Sequence, residues 1–252
     1  MTGLPDRITR NRQRLYPELQ AGGFTKRDGT IAFYVRVNAL LRPTDTILDF
    51  GAGRGRGAED ACAIRRDLLN LQGKVKKVVG VDVDDAVKEN PTLDEWRVIA
   101  PDRPVPLPDA SFDLILSDWV LEHIDNPSWF AAEVYRLLRP GGWLCARTPN
   151  KWGLTGLGAR LTPNRLHKNV LAKLTDNRLQ QDVFPTRYRL NTIGSLRKWF
   201  PRQRWQHASY MENAEPPYVM RSLVAARLVQ MYWRVAPTSL FTNLHVFLQR
   251  RA

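Results

Sequence analysis

Ile47-Leu48-Asp49-Phe50-Gly51-Ala52-Gly53-Arg54-Gly55-Arg56-Gly57 begins as an apolar strand and runs directly into glycines. A buried parallel strand reads as a short apolar run, and glycine lets the chain leave it sharply and lets a ligand approach with no Cβ in the way. Alone, the stretch is ambiguous, because Gly53, Gly55 and Ala58 also satisfy the GxGxxA form of a nicotinamide or flavin fingerprint. Spacing decides: that fingerprint places an acid after about 20 residues, whereas the next apolar run, Val78-Val79-Gly80-Val81-Asp82-Val83-Asp84, brings its first acid about 30 residues after Gly51. A carboxylate at the end of a second strand can accept hydrogen bonds from both hydroxyls of a ribose, and such charge-assisted bonds are strong. Asp82 is the candidate for that role; the competing reading is that Asp82 or Asp84 caps the helix that follows.

Working outward, Thr46 to Phe50, Val78 to Val83, Phe112 to Ser117 and Trp143 to Arg147 are apolar runs bounded by Gly, Pro or Asp, and read as buried parallel strands. Helical patterns at Ala58 to Leu71, Asp85 to Asn90 and Ser128 to Leu138 alternate with them, the last stopped by Arg139-Pro140-Gly141-Gly142. Alternation of this kind predicts an α/β fold, a doubly wound, Rossmann-like and mostly parallel seven-stranded sheet, with a helical cap inserted after the fifth strand. The expected division is an N-terminal flap and helix at 1–45, a core at 46–150, a basic cap at 151–190 and the end of the core at 191–252. In that last part Asn191 and Thr192 offer an N-cap for a helix to Phe200, Trp205 to Met211 reads as a strand, Tyr218 to Val235 as a helix and Asn243 to Gln249 as a final strand.

A chain of 252 residues with 43% hydrophobic and 25% charged residues suits one ordinary globular domain. Met1 to Gln20 lacks the apolar core of a signal peptide and Tyr218 to Ala236 is broken by Arg221, Arg227 and Arg234, so a cytoplasmic protein is expected. Cys62 and Cys145 stand alone, with no CxxC and no Cys/His cluster, which points away from a disulfide framework or structural zinc. The net charge of +13 attracts anionic partners, although an arginine-rich coding bias would also raise it. Its distribution is uneven: residues 151–204 hold twelve basic residues against Asp176 and Asp182, a net +10.

The order of further marks resembles the class I S-adenosylmethionine-dependent methyltransferases of the small-molecule type. Asp49 to Gly55 is similar to that family's first motif and Gly80-Val81-Asp82 to its second. Pro106-Leu107-Pro108-Asp109-Ala110-Ser111-Phe112-Asp113, Val120-Leu121-Glu122-His123-Ile124 and Leu138-Arg139-Pro140-Gly141-Gly142 follow in family order, so the resemblance covers Thr46 to Pro149. It implies S-adenosylmethionine as methyl donor and S-adenosylhomocysteine as product. Gly51 and Gly53, with Ala52 between them, would lie against the methionine part, Asp49 would orient its ammonium, Asp82 would hold the ribose with Val83 beside it, and Asp102 is the nearest acid for the adenine amine. Pro101 stands where strict spacing puts that acid. Ser117 and Asp118 follow the fourth strand, where open α/β sheets bind ligands. Gly22 to Thr30 looks like the flap that covers the donor, with Lys26 or Arg27 facing its carboxylate or solvent.

Methyl transfer to a hydroxyl needs the attacking oxygen in line and can use a base. His123, just past the fourth strand, is the catalytic candidate, because an imidazole ordinarily takes a proton near neutral pH; alternatively Glu122 and His123 pin the loop. His167 and Tyr188 are weaker candidates. Asp125 is the single nearby extra oxygen ligand, so no metal is expected. The cap's arginines suit phosphate or carboxylate and its Trp and Tyr suit stacking on a sugar ring. It resembles caps of bacterial methyltransferases encoded with polysaccharide biosynthesis, which implies O-methylation of a saccharide, a lipid-linked saccharide or another small anionic acceptor. An RNA methyltransferase and a non-catalytic binding protein are the alternatives, and the 218–235 helix, apolar with interspersed arginines, can either rest on a membrane surface or pack in the core.

Overall fold

Parallel strands need crossovers, and the apolar runs and helical gaps supply them in the computed structural model, which describes residues 6–154, 156, 184–216 and 219–252. The parallel strands are β1 (Thr46–Phe50), β2 (Lys77–Asp82), β3 (Glu95–Val98), β4 (Phe112–Asp118) and β5 (Leu138–Pro149). They are followed by β6 (Trp205–His207), β7 (Tyr210–Glu212) and β8 (Asn243–Arg250). The sheet order is β3-β2-β1-β4-β5-β8-β6, with β7 also on β8 and the last three strands antiparallel to their neighbours. Among the described residues eight strands stand where seven were expected, because the 205–211 run divides at Ala208-Ser209. There the Ala208 N–H donates to the Phe247 carbonyl and the Ser209 hydroxyl takes the Phe247 N–H.

Alternation along each strand sends side chains to opposite faces. Leu48, Val81, Ile115 and Ala146 meet α4 (Pro127–Leu137) and α5 (Ile193–Trp199) through Phe130, Val134, Leu196 and Phe200. Ile47, Val78, Leu114 and Cys145 meet α2 (Gly29–Leu40) and α3 (Ala63–Leu69) through Phe33, Val37 and Leu68 on the other face. The helix expected from Ala58 starts only at Ala63. Asp60 takes the Cys62 N–H at 2.8 Å and both donors of an Arg65 fork, a local turn that competes with the helical ladder. Thr192 caps α5 through a reciprocal pair with Ser195. The terminal helices α1 (Arg7–Leu15) and α6 (Leu223–Val235) share a small core of Tyr16, Met220 and Ala226.

Cys62 and Cys145 are buried free thiols, and burial drives the Cys145 thiol far above its usual range. No helix among the described residues is long and apolar enough to cross a membrane. Most of the expected 151–190 cap, His167 included, lies outside the described residues, as does Tyr218. The two ends of that insertion are joined. The Lys151 N–H donates to the Asn191 carbonyl at 3.0 Å, and the Asn191 amide donates to the Thr148 hydroxyl at 2.6 Å and the Pro149 carbonyl at 2.9 Å.

Candidate active site

In an open α/β sheet the ligand site lies beyond the carboxyl ends of the strands, where the winding direction reverses. Here the chain passes from β1 to β2 and β3 on one side and to β4 and β5 on the other, so the reversal falls between β1 and β4. A cavity of about 680 Å³ opens at that point, and Asp49, Asp82 and Asp118, from or at the ends of β1, β2 and β4, all line it.

The glycine turn forms its floor. Gly51 has φ +82°, its N–H donates to the Val81 carbonyl at 2.7 Å, and a Cβ there would stand 2.3 Å from a Val120 methyl. Gly51→Ala is therefore expected to lose about 2 kcal/mol of stability through left-handed strain and overpacking, read as a lower urea midpoint at unchanged m-value. Asn90, which also lines the cavity, steadies the turn, its amide donating to the Ala52 and Gly53 carbonyls at 2.9 and 3.2 Å.

Asp82 is buried, one oxygen accepting the Gly53 N–H at 2.9 Å and the other the Asp84 N–H at 2.9 Å. The capping role belongs to Asp84, which takes the Ala86 N–H at 2.8 Å. The two acids that sequence left as alternatives thus have separate work. Asp49 is held partly protonated: burial first, then the charges of Asp118 and Asp82, push its carboxyl up to about 7. A cavity wall with such a carboxyl favours a cationic guest, whose charge would return Asp49 to its ionised form.

Asp118 is neutralised from behind. Arg147, 4% exposed, donates Nε and Nη2 to its two oxygens at 2.8 and 2.7 Å, and the Tyr34 hydroxyl adds a bond at 3.2 Å. The guanidinium also donates to the Thr30 hydroxyl and lies 5.0 Å from the Trp119 ring centre. Arg147 and Tyr34 escaped the sequence reading, although a cation inside an otherwise apolar strand was the available signal. Ser117 is fully buried and is not on the cavity wall, and its hydroxyl has no partner among the described residues. Ala52, Gly53 and the exposed Val83 line the cavity; so does Asp102, in a left-handed turn with φ +56° beside Pro101. Lys26 and Arg27 do not line it; Arg27 lies 5.8 Å over the Trp233 ring instead.

His123 lines the cavity's far side, with Nδ1 3.0 Å from the Pro185 carbonyl. A carbonyl only accepts, so Nδ1 carries the proton in the neutral ring and Nε2, which lies 4.0 Å from the Glu122 carboxylate, the lone pair. Glu122 is the pin: its side chain accepts from the Thr148 hydroxyl at 2.8 Å, and its carbonyl accepts the Arg187 and Tyr188 N–H groups. Asp125 serves as counter-ion to Arg187 and Arg189, at 3.7 and 2.8 Å. Among the described residues no three His, Cys, Asp or Glu side chains converge on a point.

A second cavity of about 420 Å³ adjoins the first through Arg187, which lines both. Lys151, Arg189 and Lys198 line it with Trp152, Tyr188 and Trp199. Lys151 and Lys198 stand over the rings of Trp152 and Trp199 at 5.7 and 4.8 Å, so each cation comes with an aromatic face.

Comparison with known proteins agrees with this geometry. A family model described as a methyltransferase domain matches residues 48–146. A "Probable S-adenosylmethionine-dependent methyltransferase" of Mycolicibacterium smegmatis is 33% identical over 136 residues, which are 52% of this chain and 48% of that protein. A protein of the same description from Mycobacterium tuberculosis is 28% identical over 176 residues, 68% of this chain and 58% of its own. The chain thus spans about half the length of the curated relatives it matches. The geranyl diphosphate C-methyltransferase from Streptomyces coelicolor A3(2), solved with Mg2+, geranyl diphosphate and S-adenosyl-L-homocysteine, has a TM-score of 0.52 at 14% identity, covering 87% of this chain and 76% of that one. At that identity the likeness is one of fold. The matched segment contains the glycine turn and the cavity acids Asp49, Asp82 and Asp118, and residues 48–146 are similar to a methyltransferase domain.

Proposed function

We propose that this chain transfers a methyl group from S-adenosylmethionine to an oxygen of a small anionic acceptor, a saccharide or lipid-linked saccharide being the class its second cavity suits. One observation carries the reading: a carboxylate-walled cavity fit for a cationic nucleoside adjoins a cavity of cations and aromatic rings, with Arg187 shared between them. The donor supplies an electrophilic methyl carbon on a sulfonium, which leaves as a neutral thioether.

The chain's residues hold and orient the partners. Asp82 would accept the ribose hydroxyls on the lone pairs that Gly53 and Asp84 leave, and Gly51, Ala52 and Gly53 would pass their backbone along the methionine part. Asp49 would face its ammonium, Val83 and Asp102 the adenine, and Asp118, fixed by Arg147, would close the wall between β1 and β4. His123 Nε2 would take the proton of the attacking hydroxyl as the carbon–oxygen bond forms. Lys151, Arg187, Arg189 and Lys198 would hold the acceptor's phosphate or carboxylate while Trp152 and Trp199 lie against its ring.

A pH dependence follows from Asp49. Because its carboxyl stands near 7 in the unliganded protein and a cation favours the ionised form, donor affinity is expected to rise between about pH 5.5 and 7.5, by up to ~10-fold per unit below the midpoint. Calorimetry in two buffers of different protonation enthalpy checks this, through proton release near pH 6. Stability of the unliganded protein runs the other way. Asp49 binds its proton more tightly folded than unfolded, so its contribution is complete below the ordinary carboxylate range and is lost as pH rises toward 7.

The acceptor is tested by transfer of labelled methyl from S-adenosylmethionine into fractionated glycans, lipids, small metabolites and RNA. Label in an acidic glycan or glycolipid, lost in Lys198→Glu, supports the assignment; label confined to RNA or to neutral metabolites sinks it. With the acceptor in hand, His123→Gln should lower kcat about 100-fold with donor affinity within a few-fold, and a kcat close to wild type removes the base.

A further inference from the structure

Helix α6 is turned inside out for a protein surface. Its inward face is Ala226 and Trp233, fixed by the Tyr16–Met220 core and by Arg27 over the Trp233 ring. Opposite stand Val224, Leu228, Met231 and Val235, spaced four, three and four residues apart and therefore one stripe, at 69%, 59%, 60% and 83% exposure. A solvent-facing helix normally puts its polar residues there, and a row of four large apolar side chains at the most exposed positions marks a contact surface. Beside the stripe, Arg227 and Arg234 are exposed on the same helix. From residue 216 to 252 there is no Asp or Glu, against five arginines. The partner helix α1 adds exposed Arg7, Arg10 and Arg14, and its flanking acid, Asp6, is the N-cap tied to the Thr9 N–H.

We infer that α6 docks this protein on an anionic lipid surface, with Val224, Leu228, Met231 and Val235 entering the headgroup–acyl boundary and Arg227 and Arg234 meeting lipid phosphates. Charge selects this occupant. A second copy seated on the stripe would bring two sets of arginines together with no carboxylate on either helix, whereas an anionic bilayer offers an apolar interior under a negative plane. The docking helix is coupled to the donor side through Arg27, which touches Trp233. The next residue, Asp28, caps α2, the helix that carries the Thr30 and Tyr34 partners of the Arg147–Asp118 pair. The inference stands apart from the choice of acceptor.

Flotation of the full chain with phosphatidylcholine vesicles, and with vesicles containing about 30% phosphatidylglycerol, tests it. The expected result is at least ~10-fold greater recovery with the anionic vesicles, weakened by salt. Leu228→Glu/Met231→Glu should abolish recovery on both. Arg227→Gln/Arg234→Gln should reduce only the anionic component, roughly fivefold per arginine, and flatten the salt dependence. Both variants should keep the wild-type melting temperature and affinity for S-adenosylhomocysteine, since none of these side chains lines the donor cavity. Wild-type protein that stays unbound, or a glutamate variant that floats as well as wild type, overturns the inference. So does a dimer, seen by sedimentation, that the glutamate pair splits without vesicle binding, which would give the stripe to a second copy.

Discussion

Arg147→Met is expected to lower folding stability by about 3–5 kcal/mol, the usual loss when one member of a buried ion pair is removed. Methionine fills much of the volume between Phe33, Tyr34 and Trp119, the rings that surround the guanidinium, so lost packing is a small part of the effect. The larger part is Asp118, left without its forked partner beside an Asp49 already pushed up to about 7. In the variant nothing offsets the buried Asp118 charge, which costs folding free energy wherever that carboxylate is ionised. Stability would then be least affected in acid and fall as pH rises past the ordinary carboxylate range. Urea unfolding at about pH 5 and pH 8 gives both quantities. The double variant Arg147→Met/Asp118→Leu, which buries no charge, should recover most of the loss, as replaced ion pairs do elsewhere. A double variant no better than the single one would mean that the arginine matters for its rings and not for its charge.

Asp82→Ala is expected to weaken binding of S-adenosylmethionine and S-adenosylhomocysteine by about 3 kcal/mol, roughly 100-fold, with a smaller loss of stability. Two effects add. The proposed ribose contacts disappear, and the Gly53 and Asp84 N–H groups lose the carboxylate that holds the glycine turn to β2. Asp84→Ala is the control, because its carboxylate caps only the short turn at Asp85–Glu89. It should cost about 1 kcal/mol of stability and leave nucleoside affinity within a few-fold. Calorimetry with S-adenosylhomocysteine separates the two residues, and equal affinity for wild type and Asp82→Ala would remove Asp82 from the ribose.

The parts of this molecule that could be read from sequence are those fixed by local rules. Glycine at positive φ after an apolar run, an acid ending the next one, and a Pro-Gly-Gly stop after α4 each follow from backbone geometry within a few residues. Elements whose boundaries depend on side-chain bonds were placed less well. Asp60 and Arg65 cut short the helix after the glycine turn, and the Ser209–Phe247 contact split a strand. Contacts that link distant segments were illegible. Arg147 meets Asp118 and Thr30, Glu122 holds the irregular segment at Arg187–Tyr188, and Arg187 joins two cavities; each depends on where the sheet brings residues far apart in the chain. The charge of residues 151–204 was visible as a total, whereas its division between Asp125 pairing and a ring-backed cavity needed the fold.

The hydrogen-bonded meeting of Lys151 and Asn191 bears on how such a protein can diversify. An excursion that leaves and re-enters the scaffold at one clasped point adds little closure entropy however long it grows, since that cost rises only with the logarithm of length. Recombination could swap one excursion for another between those two residues while β5 and α5 keep their seats. On the function proposed above, the donor side would remain constant and new acceptors would be sampled by trading the part beyond the clasp, in the manner of interchangeable tool heads on one handle.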